Sequence, residues 1–234
     1  MHKNITLIDH LFLYAHPIII LGIIKCKLFP NSQKIINRNI NSKVNKKILS
    51  VKGVKFYNYF KKPNIDMKEI LYEVFIQEIY RDLKVKNRYI LDIGAAYGDT
   101  ALYFASKGAS MVYSYEPNKI RFIQAQKNIK LNSKKLITVL NEEADSKTID
   151  MFVNKFKEKR KVLKIDCEGG EYEQILKSKF IKEFDQIIVE YHYGYLNLVS
   201  FLKNVGFKVK YTRPKISGLN GEMAIGMIYA QKSI

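Results

Sequence analysis

Residues 88–118 read RYILDIGAAYGDTALYFASKGASMVYSYEPN, and this stretch decides the fold class. Tyr89 to Ile93 is a short apolar run with Asp92 near its end, the pattern of a buried parallel strand. Gly94 and Gly98 bracket a turn, and Thr100 to Ala105 follow with helical composition. A second apolar run, Met111 to Tyr115, ends in Glu116. In an open α/β sheet such a unit brings the glycine turn and the acid together at the carboxyl edge, where a nucleoside binds. Glycine lets the backbone approach the ligand, and the helix start offers free N–H groups to a carboxylate.

The glycine spacing narrows the ligand. A dinucleotide turn reads G-x-G-x-x-G and seats a pyrophosphate on the helix end. Here three residues separate Gly94 from Gly98, and no lysine or serine completes a phosphate loop. Two carboxylates, Asp92 and Glu116, frame the turn and suit a cationic amine and a ribose. The combination fits S-adenosyl-L-methionine, which carries a sulfonium, an ammonium and no phosphate. Glu116 is expected to accept from two ribose hydroxyls, because an acid ending a buried strand otherwise lacks a partner. The competing reading is an α/β turn that binds nothing.

Outward from this unit, strand and helix alternate to the end of the chain. Strands are expected at 89–93, 111–115, 136–140, 162–166, 186–191, 207–212 and 223–230, with helices at 99–107, 118–132, 147–158, 170–178 and 195–205. Pro214, Gly218 and Gly221 mark a loop between the last two strands. The expected fold is α/β: a Rossmann-like, seven-stranded, mostly parallel sheet with one antiparallel edge strand and helices on both faces. Residues 89–234 would form this domain and residues 1–88 an N-terminal extension. Within the extension, Ile48–Val51 and Val54–Phe60 read as hairpin strands around Lys52-Gly53, and Met67–Leu83 as an amphipathic helix.

The 234 residues, 47% hydrophobic, have room for one such domain and a modest appendage. Cys26 and Cys167 are the two cysteines, without metal-type spacing, which suits a reducing, cytoplasmic setting. Net charge is +18, and from Lys25 to Lys62 there are eleven basic residues and no acid. That run would meet RNA, an anionic membrane or an acidic substrate, or is simply solvated lysine. Ile5 to Ile24 is apolar but contains Asp9, His10, His16 and Pro17, which argues against a spanning helix. It reads as an amphipathic helix that packs on the domain or lies peripherally on a membrane.

Four segments together resemble the FkbM-type methyltransferases, a branch of the Rossmann-like class I S-adenosylmethionine-dependent enzymes. They are Leu91-Asp-Ile-Gly-Ala-Ala-Tyr-Gly98, Glu116-Pro-Asn118, Leu163-Lys-Ile-Asp-Cys-Glu-Gly-Gly-Glu171 and Val189-Glu-Tyr-His192. The third, similar to the family's K-I-D-V-E-G-A-E, is the most specific. Ala96 stands where the family has asparagine, Cys167 and Gly170 where it has valine and alanine, and the stretch from Glu143 to Lys161 is short for the family.

The resemblance implies a set of roles by position. Gly94, Ala95, Tyr97 and Gly98 would lie against the methionine half of the cofactor, and Asp92 would hold that turn or bind the methionine amine. Glu116, with Pro117 and Asn118, would take the ribose, although Asn118 also reads as a helix N-cap. Glu143 or Glu142, with Ala144, would read the adenine. Asp166 would face the methionine amine or the nucleophile. His192 would act as base, with Glu168 as a further catalytic candidate. Glu171 reads as structural, because acids at a helix start are favoured by its dipole, and Glu190 as shaping the site. No metal constellation is read from these spacings. The implied reaction is O-methylation of a small-molecule, glycan or lipid-linked sugar hydroxyl. An RNA methyltransferase gripping phosphates with the Lys25–Lys62 run, and a non-catalytic cofactor-binding scaffold, are the alternatives. The sequence leaves the oligomeric state open.

Overall fold

The structure, a computed structural model, describes residues 41–43, 48–58, 67–217 and 223–232. The apolar segment at 5–24 and most of the basic run lie outside these residues. A small antiparallel sheet comes first, with β1 (Asn41–Lys43), β2 (Ile48–Val51) and β3 (Val54–Tyr57). Lys52 and Gly53 turn the β2–β3 hairpin at φ 46° and 81°. Positive φ at both central residues is what matches a two-residue loop to strand twist.

Helix α1 (Met67–Leu71) runs into a π-helical segment, Tyr72–Gln77, and stops at Glu78 in the left-handed conformation. The helix expected to reach Leu83 therefore ends early. Glu78 is held from outside, by Lys52 at 2.5 Å and Lys107 at 2.9 Å. π-helical turns occur often at functional sites, and this one puts Val74 and Phe75 in the core while Glu73 faces a cleft.

The main sheet contains β4 (Tyr89–Ile93), β5 (Met111–Tyr115), β6 (Ile137–Leu140), β7 (Lys161–Ile165) and β8 (Gln186–Tyr191), all parallel in the order β8-β7-β4-β5-β6. The later strands are β9 (Phe207–Tyr211), β10 (Lys215–Ser217) and β11 (Met223–Lys232). Between the parallel strands run α2 (Asp99–Ser106), α3 (Lys119–Leu131), α4 (Ser146–Lys155), α5 (Glu171–Lys177) and α6 (Leu196–Asn204). The fold is the expected Rossmann-like sheet, with reversed strand β11 beside β8. The outer flank of β11 is shared by β9 and by β10, a short strand in a stretch expected as loop, so the sheet has eight strands.

Two apolar clusters cover the sheet. In one, Leu49, Phe56 and Phe75 of the extension pack with Ile90, Leu102 and Tyr103 of the domain. In the other, Ile149, Ile175 and Leu198 of α4, α5 and α6 pack with Leu163 and Ile187. The exposed edge of β3 is closed by amides from α3: Asn128 Oδ1 accepts from Tyr57 N, and Asn132 bonds both backbone groups of Lys55. Edge groups paired in this way cannot recruit another strand.

Candidate active site

At the carboxyl ends of β4, β5, β7 and β8 lies a cleft of about 540 Å³, with the π-helical segment as its far wall. Gly94 makes the turn after β4 at φ 81°, and a side chain there would run into the Asp166 carbonyl oxygen. Gly94 N and Ala95 N both donate to Tyr115 O at 3.0 Å, which ties the turn to the neighbouring strand.

Glu116 links the two strand ends. Its Oε2 accepts from Ala96 N at 2.8 Å and its Oε1 from Asn118 N at 2.9 Å, and its side chain lines the cleft. The acid is thus already partnered by backbone, contrary to the premise that only a ligand would satisfy it. Each carboxylate oxygen keeps a second acceptor direction for a ribose hydroxyl. Ala96 sits at φ 44° in this turn. Left-handed backbone costs an L-residue about 1–2 kcal/mol, while glycine loses some of that gain to unfolded-chain entropy. Ala96→Gly is therefore expected to raise stability by about 0.5–1 kcal/mol, read as a higher urea midpoint with an unchanged slope.

Asp92 does not face the cleft. It is fully buried, its Oδ2 accepts from Thr100 Oγ1 at 2.8 Å and Ser114 Oγ at 3.0 Å, and its Oδ1 lies 3.2 Å from Lys164 Nζ. The Lys164 ammonium also donates to Gly94 O at 2.6 Å and Ile93 O at 3.2 Å. Burial works against its charge, but the carboxylates of Asp92, Asp166 and Asp99 outweigh burial and raise its pKa. Of the two roles expected for Asp92, holding the turn is the one its contacts serve, through Lys164.

The far end of the cleft collects acids. One donor atom each from Asp166, Glu190 and His192 lies within 4.8 Å of the others. Burial, then the Asp166 charge, pushes Glu190 well above the usual carboxylate range. Burial alone would lower His192, but its hydrogen bond to Glu171 and the nearby carboxylates prevail and raise it. Burial, then Glu69 and Asp166, lifts Glu73 to about 7. Burial lifts Asp99 to about 6 against the pull of Lys164. Burial likewise pushes the Cys167 thiol up to about 12, which keeps it from serving as a thiolate nucleophile.

Residues 138–209, from β6 to β9, match the model of the methyltransferase FkbM domain. Over that stretch the chain is similar to FkbM methyltransferase domains. Methyltransferases of this family use S-adenosyl-L-methionine. No curated protein sequence matches the chain. Among solved structures, P. horikoshii TYW2 in complex with MeSAdo is 16% identical with a TM-score of 0.51, covering 83% of this chain and 72% of that one. M. jannaschii TYW2 in complex with AdoMet is 16% identical with a TM-score of 0.49, covering 80% and 86%. At such identity the likeness is one of fold.

Of the residues singled out from the sequence, Gly94, Tyr97, Glu116, Pro117, Glu143, Ala144, Asp166 and Glu168 line the cleft. Of the acid pair before α4, it is Glu143 that reaches the cleft wall. Four expected cofactor residues do not line it. Asp92 is buried behind Lys164, and Ala95 is fully buried. Gly98 packs against Ala125 of α3. Asn118 caps α3, with Oδ1 accepting from Ile120 N and Arg121 N. His192 stands behind the lining, 3% exposed, and Glu171 holds it as a structural acid. Glu73, Asp99 and Lys164 line the cleft and were not foreseen. Lys164 lies inside the most specific motif of the chain, whereas nothing in the sequence around Glu73 tied it to the site.

Proposed function

We propose that this chain transfers the methyl group of S-adenosyl-L-methionine to a hydroxyl of a small molecule, glycan or lipid-linked sugar. One observation carries the reading. Seven carboxyl groups line the cleft against two cations, Arg121 and Lys164, and Lys164 is already paired with Asp92. Even with the raised Glu190 and Glu73 protonated, the acids outnumber the cations. A site of that charge attracts a sulfonium and an ammonium and repels phosphodiesters. In this reading Glu116 takes the ribose, Glu143 and Ala144 the adenine edge, and Asp99 or Asp166 the methionine ammonium. The acceptor oxygen attacks the methyl carbon, and the C–S bond pair stays on sulfur, leaving S-adenosylhomocysteine. The hydroxyl proton leaves at the Asp166–Glu190–His192 end of the cleft. Holding the two reactants in line is the main source of acceleration, with proton removal adding about 10²–10⁴-fold.

The RNA reading depends on the Lys25–Lys62 run, most of which lies outside the described residues. It requires phosphates beside an acidic cleft. Membrane contact through residues 5–24 likewise rests on the sequence; among the described residues no helix is long and apolar enough to cross a membrane. Isothermal titration with S-adenosyl-L-methionine tests the cofactor site. Glu116→Ala is expected to weaken binding at least about tenfold, or roughly 1.4 kcal/mol. Equal affinity in wild type and variant would remove Glu116 from the ribose. Methyl transfer to hydroxyl acceptors that changes little between 50 and 200 mM salt supports this function. A collapse of transfer to RNA over about that range would favour the alternative.

A further inference from the structure

We propose that Asp166, Glu190 and His192 form a divalent-cation site at the acceptor end of the cleft. The purpose of such a site rests on the methyltransferase reading above; its existence rests on geometry. Asp166 leaves the end of β7, and Glu190 and His192, two residues apart, lie on one face at the end of the adjacent β8. Their donor atoms fall within 4.8 Å of one another. An octahedral cation with bonds of about 2.1 Å holds adjacent donors about 3 Å apart, within reach of small side-chain rotations.

The histidine is prepared as a ligand. Its Nδ1 lies 3.2 Å from Glu171 Oε1, which also accepts from His192 N at 2.8 Å. Glu171 Oε2 is anchored by Gly169 N at 2.8 Å, and the whole side chain is buried. A carboxylate on Nδ1 fixes the tautomer and ring orientation and leaves the Nε2 lone pair for a metal. The imidazole is 3% exposed, yet Nε2 makes no hydrogen bond to any described residue. Its nearest acid oxygen, Glu190 Oε1, is 4.0 Å away. That gap is too long for a hydrogen bond and is one that a shared cation spans.

Two carboxylates and one imidazole suit Mn²⁺ or Mg²⁺ with positions left open to the cleft. Two of the three open positions suit an acceptor with adjacent hydroxyls, such as a sugar diol. Coordination lowers the hydroxyl pKa, as it does for water on a cation. The proton then leaves to solvent, the oxygen attacks the methyl carbon, and the C–S pair remains on sulfur. The site thus acts by coordination in place of direct proton uptake.

The test is titration of the full chain with MnCl₂, followed by the electron paramagnetic resonance signal of free Mn²⁺, with S-adenosyl-L-methionine titrated in parallel. One ion per chain is expected. His192→Ala and the near-isosteric Glu190→Gln should each weaken it at least about tenfold, and Glu171→Gln about 10–100-fold, with cofactor affinity kept within about twofold. Wild-type protein that binds cofactor but no Mn²⁺, or an unchanged Mn²⁺ affinity in His192→Ala, overturns the cation site and leaves the methyltransferase reading standing. Mn²⁺ binding that depends on His192 in a chain without cofactor affinity upholds the site and overturns that reading.

Discussion

Lys164→Ala is expected to lower the unfolding free energy by about 3–5 kcal/mol, the range for removing one partner of a buried ion pair. Lys164 is 1% exposed and Asp92 fully buried, so water cannot replace the lost ammonium. Two carbonyl oxygens, of Ile93 and Gly94, lose their donor at the same time. The glycine turn would loosen with them, and cofactor affinity should fall together with stability. The double variant Asp92→Asn/Lys164→Met separates charge from packing. Thr100 and Ser114 can still donate to the asparagine oxygen, and methionine fills most of the lysine stem volume. Replacing a buried pair by a neutral, well-packed one is often close to neutral, so the double variant should regain most of the loss. Urea denaturation measures both. A single-variant loss under about 1 kcal/mol would mean that the pair carries no buried charge.

The same pair shows what the sequence could and could not disclose. Strand and helix positions were legible because the parallel strands are short, mostly apolar runs bounded by turn residues, with helix-length segments between them. Glu116 was legible because a carboxylate that ends a buried strand stands out against its neighbours. For Asp92 two roles stayed open, since the lysine that claims it lies 72 positions away, on a strand that joins β4 only through the sheet. Glu73 was hidden for a related reason: its place on the cleft depends on a π-helical segment that interrupts the helical period. The eighth strand, β10, is three residues long and gains its pairing entirely from β11. His192 was found by its position at a strand end, but its depth behind the lining follows from Glu171, which reads in sequence as an ordinary helix-start acid.

Asp99→Asn is expected to stabilise the protein at neutral pH while costing cofactor affinity. Asp99 is 4% exposed, and its Oδ1 makes no hydrogen bond among the described residues. Burial lifts its carboxyl from the usual 3.8 to about 6. The folded value lies above the unfolded one, so the unfolded chain releases this proton first. Stability is therefore undiminished below about pH 4, falls as pH rises to about 6, and then stays low, with a total cost on the order of 3 kcal/mol. Asparagine keeps the shape without the charge. The variant should match wild type near pH 4 and exceed it by about 2–3 kcal/mol at pH 7–8. Parallel urea-midpoint profiles over that range would show that Asp99 is not buried as a charge. A buried acid with one oxygen left unbonded persists when a ligand supplies the missing partner, and strain of this kind gathers at active sites. The methionine ammonium is a cation of the right size for the role, so the gain in stability should come with weaker S-adenosyl-L-methionine binding, and wild-type protein saturated with cofactor should lose most of its deficit at neutral pH.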